Sequence, residues 1–206
     1  MARRDWPGAE TGHVFLAHAT GFCKEIWDPV ADELRNLGWG GSITGWDAPG
    51  HGGSPARAAP FDWWDTARAA LEVIRNSPSD TPRLGVGHSM GAASLAMTEL
   101  LAPGTMHGLI LIEPIMFPPP FQRVEVNPLT ARATRRRASF GSPQEAFDNF
   151  SSKAAFSAWD ERALRAYARL ALRQGGVGRA EGSAPAERDA RHRRGVGRDA
   201  DEELLR

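Results

Sequence analysis

The sequence predicts an α/β protein, a mostly parallel sheet with helices on both faces. Three observations predict it. Four short apolar runs recur between residues 14 and 112, and each leads into Gly, Asp, His or Glu-Pro, where a strand would feed a loop. The segments between the runs carry helical period. Each run is apolar on both faces, which suits strands covered from both sides.

Taken in order, the first run is Val14 to Ala17. Ile26 to Leu37 comes next as a helix, with Ile26, Val30, Leu34 and Leu37 on one stripe. Ser42 to Trp46 is the second strand. Phe61 to Ile74 is a second helix, its stripe made by Trp64, Leu71 and Ile74, and Asp62 is its candidate N-cap. Leu84 to Val86 is the third strand. Ala92 to Leu101 is a helix ended by Pro103 and Gly104, and Leu109 to Ile112 is the fourth strand. The core therefore begins near residue 13 and runs to 113.

Beyond Glu113 the texture changes. Pro114, Pro118, Pro119 and Pro120 forbid a regular element, Arg135 to Arg137 open a polar stretch, and Phe140 to Tyr167 reads as short helices with Phe147, Phe150, Phe156, Trp159 and Leu164. Residues 114–170 are read as a helical cap inserted over the sheet's carboxyl edge. All seven Trp lie at or before Trp159 and nothing aromatic comes after Tyr167, so the core must come from the first 170 or so residues. Residues 173–206 hold eight Arg, six Gly and five Ala, with Val177, Val196, Leu204 and Leu205 as their sizeable apolar residues. That composition predicts disorder. Lysine occurs only as Lys24 and Lys153 among the 25 basic residues, which suggests a GC-rich coding sequence, and a shifted frame near Leu172 to Gly178 would produce such a tail. A genuine basic tail is the other explanation.

Charge narrows the partners. Twenty-five basic and 25 acidic residues cancel, so no overall field favours nucleic acid or an anionic membrane. The arginines at 132 and 135–137 read more simply as a solvated face. The single cysteine, Cys23, excludes an intrachain disulfide and reads as a small buried hydrophobe, and no Cys/His spacing suits a metal. No window is apolar enough for a membrane span or a signal h-region, so the cytoplasm is the expected compartment.

One motif carries chemistry. Gly87-His88-Ser89-Met90-Gly91 is G-x-S-x-G, set directly after an apolar run and directly before a helix. Glycines two before and two after the serine permit a sharp strand-to-helix turn that exposes the hydroxyl at the sheet's carboxyl edge. The helix starting behind Ser89 then aims its free N–H groups at the site, with the Met90 amide as an oxyanion donor.

On these residues the chain resembles the α/β-hydrolase superfamily, from about His13 to Tyr167. His18-Ala19-Thr20-Gly21-Phe22 is similar to that family's H-G-F loop with one residue inserted, and Asp47-Ala48-Pro49-Gly50-His51-Gly52 to its D-x-x-G-H-G turn. The resemblance implies a serine hydrolase of esterase or acyl-hydrolase type, with no metal or organic cofactor and a small-molecule acyl substrate. It implies Ser89 as nucleophile and the Phe22 amide, with Thr20 next, as second oxyanion donor. His51 is implied to be structural; His18, as part of the oxyanion loop, and His88, which in such a turn points away from the serine hydroxyl, are set aside as bases, while His13 and His107, which precede strands, are read as surface residues.

The triad is incomplete on this reading. Glu113 closes the fourth run at the same edge as Ser89 and is the candidate acid; in the family the acid more often comes after a later strand. The only histidine after Glu113 is His192, which lacks a preceding strand and is a poor base. The last strands of the fold are expected to be missing. The leading expectation is an acyl hydrolase, and the alternative is a catalytically silent chain without a general base.

Overall fold

The computed structural model describes residues 1–56, 62–77, 81–116 and 140–171. Its strands are β1 (Arg3–Trp6), β2 (His13–Ala17), β3 (Ser42–Trp46), β4 (Arg83–His88) and β5 (Gly108–Ile112). They form one sheet in the order β1-β3-β2-β4-β5, parallel throughout except where β1 runs antiparallel to β3. The helices are α1 (Asp28–Asn36), α2 (Trp63–Arg75), α3 (Met90–Leu101), α4 (Pro143–Ser151) and α5 (Glu161–Ala166).

Strand alternation divides the core in two. Val14 and Leu16 of β2 point to one face, where they join Cys23, Ile26, Trp27 and Ala31 with Phe150, Leu164 and Tyr167 of the later helices. Phe15 and Ala17 point to the other face and meet Ala70, Val73 and Ile74 of α2 and Leu95 of α3. All five residues of β2 are buried, as the middle strand of a covered sheet requires.

Three details depart from the pattern expected of the sequence. Before α1 the chain makes a 3-10 turn over Lys24–Trp27, and its tighter winding shifts the phase of the helix behind it. Consequently Pro29 and Ala31 are buried while Val30 and Leu37 lie exposed, at 40% and 76%. The expected stripe holds only at Ile26 and, in part, Leu34. In α2, Asp62 caps the helix through a reciprocal pair with Asp65, but Trp64 stays 37% exposed because Ala67, Ala70 and Ile74 make the buried face. His13 is the third correction: it is buried, stacks on Phe15 at 4.2 Å, and its Nε2–H donates to the Thr44 hydroxyl at 2.8 Å, which itself donates to Asp5.

β1 was not legible, since Arg3, Arg4 and Asp5 are exposed on an edge strand that needs no apolar alternation. After β5, residues 117–139 of the expected insertion and the whole stretch 173–206 lie outside the described residues. Residues 143–171 are helical, with a 3-10 turn at Ala154–Phe156 and a π turn at Tyr167–Ala171. Their aromatic side chains rest on Phe22, with ring centroids 5.0 Å from both Trp159 and Tyr167, so they lie over the loop that leaves β2.

Candidate active site

Ser89 sits between the last residue of β4, His88, and the first of α3, Met90, with φ 55 and ψ −112. This backbone region is costly for a residue with a side chain. The neighbours hold it there. The Ser89 N–H donates to the Ile112 carbonyl at 2.9 Å, and its carbonyl accepts from Ala93 at 3.1 Å as the first bond of α3.

Both glycines of the motif are sterically required. A Cβ at Gly87 would lie 2.6 Å from the backbone of Ala92, and one at Gly91 would collide with the Ala17 carbonyl at the end of β2. The turn can therefore fold back only if both positions lack side chains. Met90, as the first residue of α3, has an N–H that no carbonyl within the helix can reach. That amide and the positive end of the helix lie at the Ser89 turn.

Glu113 comes directly after β5, is exposed, and has φ 43. The β4–β5 register pairs Leu84 with Gly108 and His88 with Ile112; carried one step further, it sets Glu113 beside Ser89. Among the described residues these two are the non-glycine residues with positive φ.

The loop after β2 corrects one expectation. The Phe22 N–H donates to the Ala19 carbonyl at 3.1 Å, closing a turn in which Gly21 has φ 82, so it is not free as an oxyanion donor. An inserted residue lets the loop bend back on itself and satisfy that amide internally.

Histidines beside this loop are structural by their bonds. His18 Nδ1–H donates to the Ala19 carbonyl at 2.8 Å, and Nε2 accepts from the Ala48 amide at 3.0 Å. Burial, helped by the nearby His51 ring, lowers its pKa to about 4, so the ring is neutral at pH 7. His51, also lowered by burial, donates through Nδ1 to the Pro49 carbonyl at 3.0 Å. Cys23 is fully buried and burial pushes its thiol up, which makes it unreactive.

An ion pair that sequence reasoning missed joins the two loops. Asp47, at the end of β3 and 0% exposed, accepts from the Lys24 amide at 2.8 Å, the Lys24 ammonium at 2.7 Å and the Gly53 amide at 2.8 Å. Burial pulls Lys24 down, but hydrogen bonds to Asp47 and Glu25 outweigh it and hold the ammonium above its ordinary range. The one available signal was compositional: Lys24 is one of only two lysines in the chain.

Over 125 residues, 55% of this chain and 29% of the other, the chain is 27% identical to the type I acyl-CoA thioesterase mpaH' of Penicillium brevicompactum. It is 31% identical over 129 residues to the peroxisomal membrane protein LPX1 of Saccharomyces cerevisiae, covering 55% of this chain and 33% of LPX1. To the human monoglyceride lipase it is 28% identical over 129 residues, 61% of this chain and 42% of the lipase. The chain thus matches less than half the length of each of these relatives. The crystal structure of the yeast Lpx1 hydrolase superposes with a TM-score of 0.69 at 19% identity, over 88% of this chain and 58% of that one, which speaks for the fold. The profile of the alpha/beta hydrolase family matches residues 14–201, and the chain belongs to that family.

Proposed function

We propose that the chain is a serine hydrolase acting on a small carboxylic ester or related acyl compound, with Ser89 as nucleophile. The observation that carries this reading is the strained Ser89 turn, clamped by Ile112 on one side and opening α3 on the other. Ser89 Oγ attacks the acyl carbon, the Met90 amide meets the oxyanion, and the alcohol or thiol leaves with a proton. Water then releases the acid from the acyl-enzyme. Glu113 is the acid of the site, on the strength of its register beside Ser89 and its matching strain. The relatives' names, a thioesterase and a lipase, have an acyl bond in common and favour that substrate class. Aromatic side chains above Phe22 suit an apolar acyl group. A fluorophosphonate probe is expected to label the chain at Ser89. Labelling undiminished in Ser89→Ala would overturn the assignment.

A second reading is favoured by the histidines. His18 has both ring nitrogens engaged, His13 and His51 are buried with one nitrogen bonded, and no described histidine comes after Glu113. His192 lies outside the described residues. On this reading the chain is catalytically silent: without a positioned base only the modest rate supplied by binding and the oxyanion site remains. A chromogenic ester separates the two, since sustained turnover lost in Ser89→Ala would refute silence. We assign the chain to the cytoplasm; co-fractionation of the tagged chain with peroxisomes, the compartment named for the yeast relative, would refute that.

A further inference from the structure

We propose that Trp159 is a positioning residue for the oxyanion site: acting through Phe22, it holds the Ala19–Thr20 peptide in place, with the Thr20 N–H as the second donor beside that of Met90. This rests on the serine-hydrolase reading above and adds to it a residue outside the catalytic motifs.

The loop after β2 lies against the nucleophile turn. A Cβ at Gly91 would touch the carbonyls of both Ala17 and His18, and the β2–β4 register, which pairs Ala17 with Gly87, sets Ala19 beside Ser89 when carried two steps further. In this loop one carbonyl receives two donors. The Ala19 oxygen accepts from the His18 Nδ1–H at 2.8 Å and from the Phe22 N–H at 3.1 Å. A trans peptide directs its C=O and its N–H to opposite sides. Fixing the Ala19 oxygen therefore also fixes the N–H of Thr20, which nothing accepts among the described residues.

The two donors are held differently. His18 is buried and its Nε2 accepts from the Ala48 amide at 3.0 Å, so the exit of β3 fixes it. Phe22 closes a four-residue turn whose third position is Gly21, at φ 82. One neutral hydrogen bond across a turn that contains glycine is a weak restraint, because glycine has many other conformations to visit. What restrains Phe22 is its ring, which lies 5.0 Å from Trp159 and 5.0 Å from Tyr167 in an edge contact. Tyr167 also serves the core, packing on Phe150 at 4.8 Å. Trp159 is only partly buried and stands directly before Asp160, which caps α5 by accepting from the Arg162 N–H at 2.8 Å. In turn α5 buries Leu164 in the cluster that holds Trp27 and Ala31, and Arg162 pairs with Asp32 of α1 at 3.1 Å. The indole is thereby anchored on α1 and meets Phe22 from a fixed point.

Two readouts on the full chain test these contacts, at a temperature where parent and variants are folded by circular dichroism. Hydrogen exchange at the Phe22 amide should speed up roughly three- to tenfold in Trp159→Ala and return toward the parent rate in Trp159→Phe, which keeps ring against ring. The His13 amide, bonded to Pro82 at the opposite end of β2, should exchange as before. Labelling of Ser89 by a fluorophosphonate should slow about tenfold in Trp159→Ala as the donor loses its alignment, by one factor for an ethyl and a dodecyl probe. A wall of the acyl pocket would instead give a loss that grows with probe length. Thr20→Pro deletes the donor N–H at the second position of the turn, where proline is favoured. There labelling should fall roughly 10²- to 10³-fold while the Phe22 amide stays protected. With the parent chain labelled, unchanged exchange at Phe22 in Trp159→Ala, a length-dependent loss, or full labelling of Thr20→Pro would each overturn the proposal. A parent chain that the probe leaves unlabelled would overturn the hydrolase reading, and the role given to Thr20 with it.

Discussion

The amide of Ser89 donates to the carbonyl of Ile112 at 2.9 Å, and this bond extends the β4–β5 ladder by one step past the end of the strands. It brings the two strained non-glycine residues, Ser89 at φ 55 and Glu113 at φ 43, to neighbouring positions at the carboxyl edge. Strain of this kind costs on the order of 1–3 kcal/mol per residue and persists only where surrounding bonds enforce it.

Replacing Glu113 by glycine separates strain from function. Relief of the positive φ is offset in part by the glycine's freedom in the unfolded chain, so stability should stay within about 1 kcal/mol of the parent or rise. The rate at which a fluorophosphonate labels Ser89 should fall at the same time. Chemical denaturation and labelling kinetics measure the two sides, and a marked loss of stability would show that Glu113 holds the fold instead.

Gly91→Ala should destabilise the chain by about 1–3 kcal/mol or more, because the new Cβ meets the Ala17 carbonyl, which belongs to a buried strand and cannot move aside. Gly104→Ala is the comparison: φ is 79 there, but nothing lies within 4 Å of the added carbon, so only the backbone strain is felt. Urea midpoints that rank Gly104→Ala as the worse of the two would refute the packing explanation.

Lys24→Met removes the ammonium from a carboxylate that is itself fully buried. Leaving the buried Asp47 carboxylate without the ammonium should cost roughly 3 kcal/mol, since breaking a buried pair from one side strands the other charge. Denaturant titration of the variant provides the measurement. A cost below about 1 kcal/mol, the range of an exposed pair, would mean that water reaches Asp47.

Acid should loosen the fold before carboxylates titrate. Burial holds His18 at about 4, below the ordinary histidine value of 6.5, and lowers His51 as well. Between those values the unfolded chain binds protons that the folded chain refuses, so stability is full above pH 6.5 and falls as pH drops toward 4. Each unit of depression is worth about 1.4 kcal/mol. The slope of stability against pH in that window should shrink in His18→Gln, and an unchanged slope would shift the effect to His51 or elsewhere.

Features that depend on near neighbours could be read from the chain before any folding was known. Apolar runs on both faces specified β2 to β5, Asp62 before a helical period specified the cap of α2, and two glycines around Ser89 specified the sharp turn. Local sterics or periodicity accounts for each of them. Partnerships between distant segments came only with the packing of the elements against one another. His13, polar and placed before a strand, is buried because Thr44 and Asp5 complete its bonding from two other strands. Asp47 became the tie between two loops only when β2 and β3 lay side by side and delivered Lys24 to it. The Phe22 amide was taken up by Ala19 through a loop geometry that one inserted residue changes. Glu113 could be put at the carboxyl edge from its place at the end of an apolar run, but that its strand lies next to the one leading into Ser89 came only with the β4–β5 register, which pairs residues 24 positions apart.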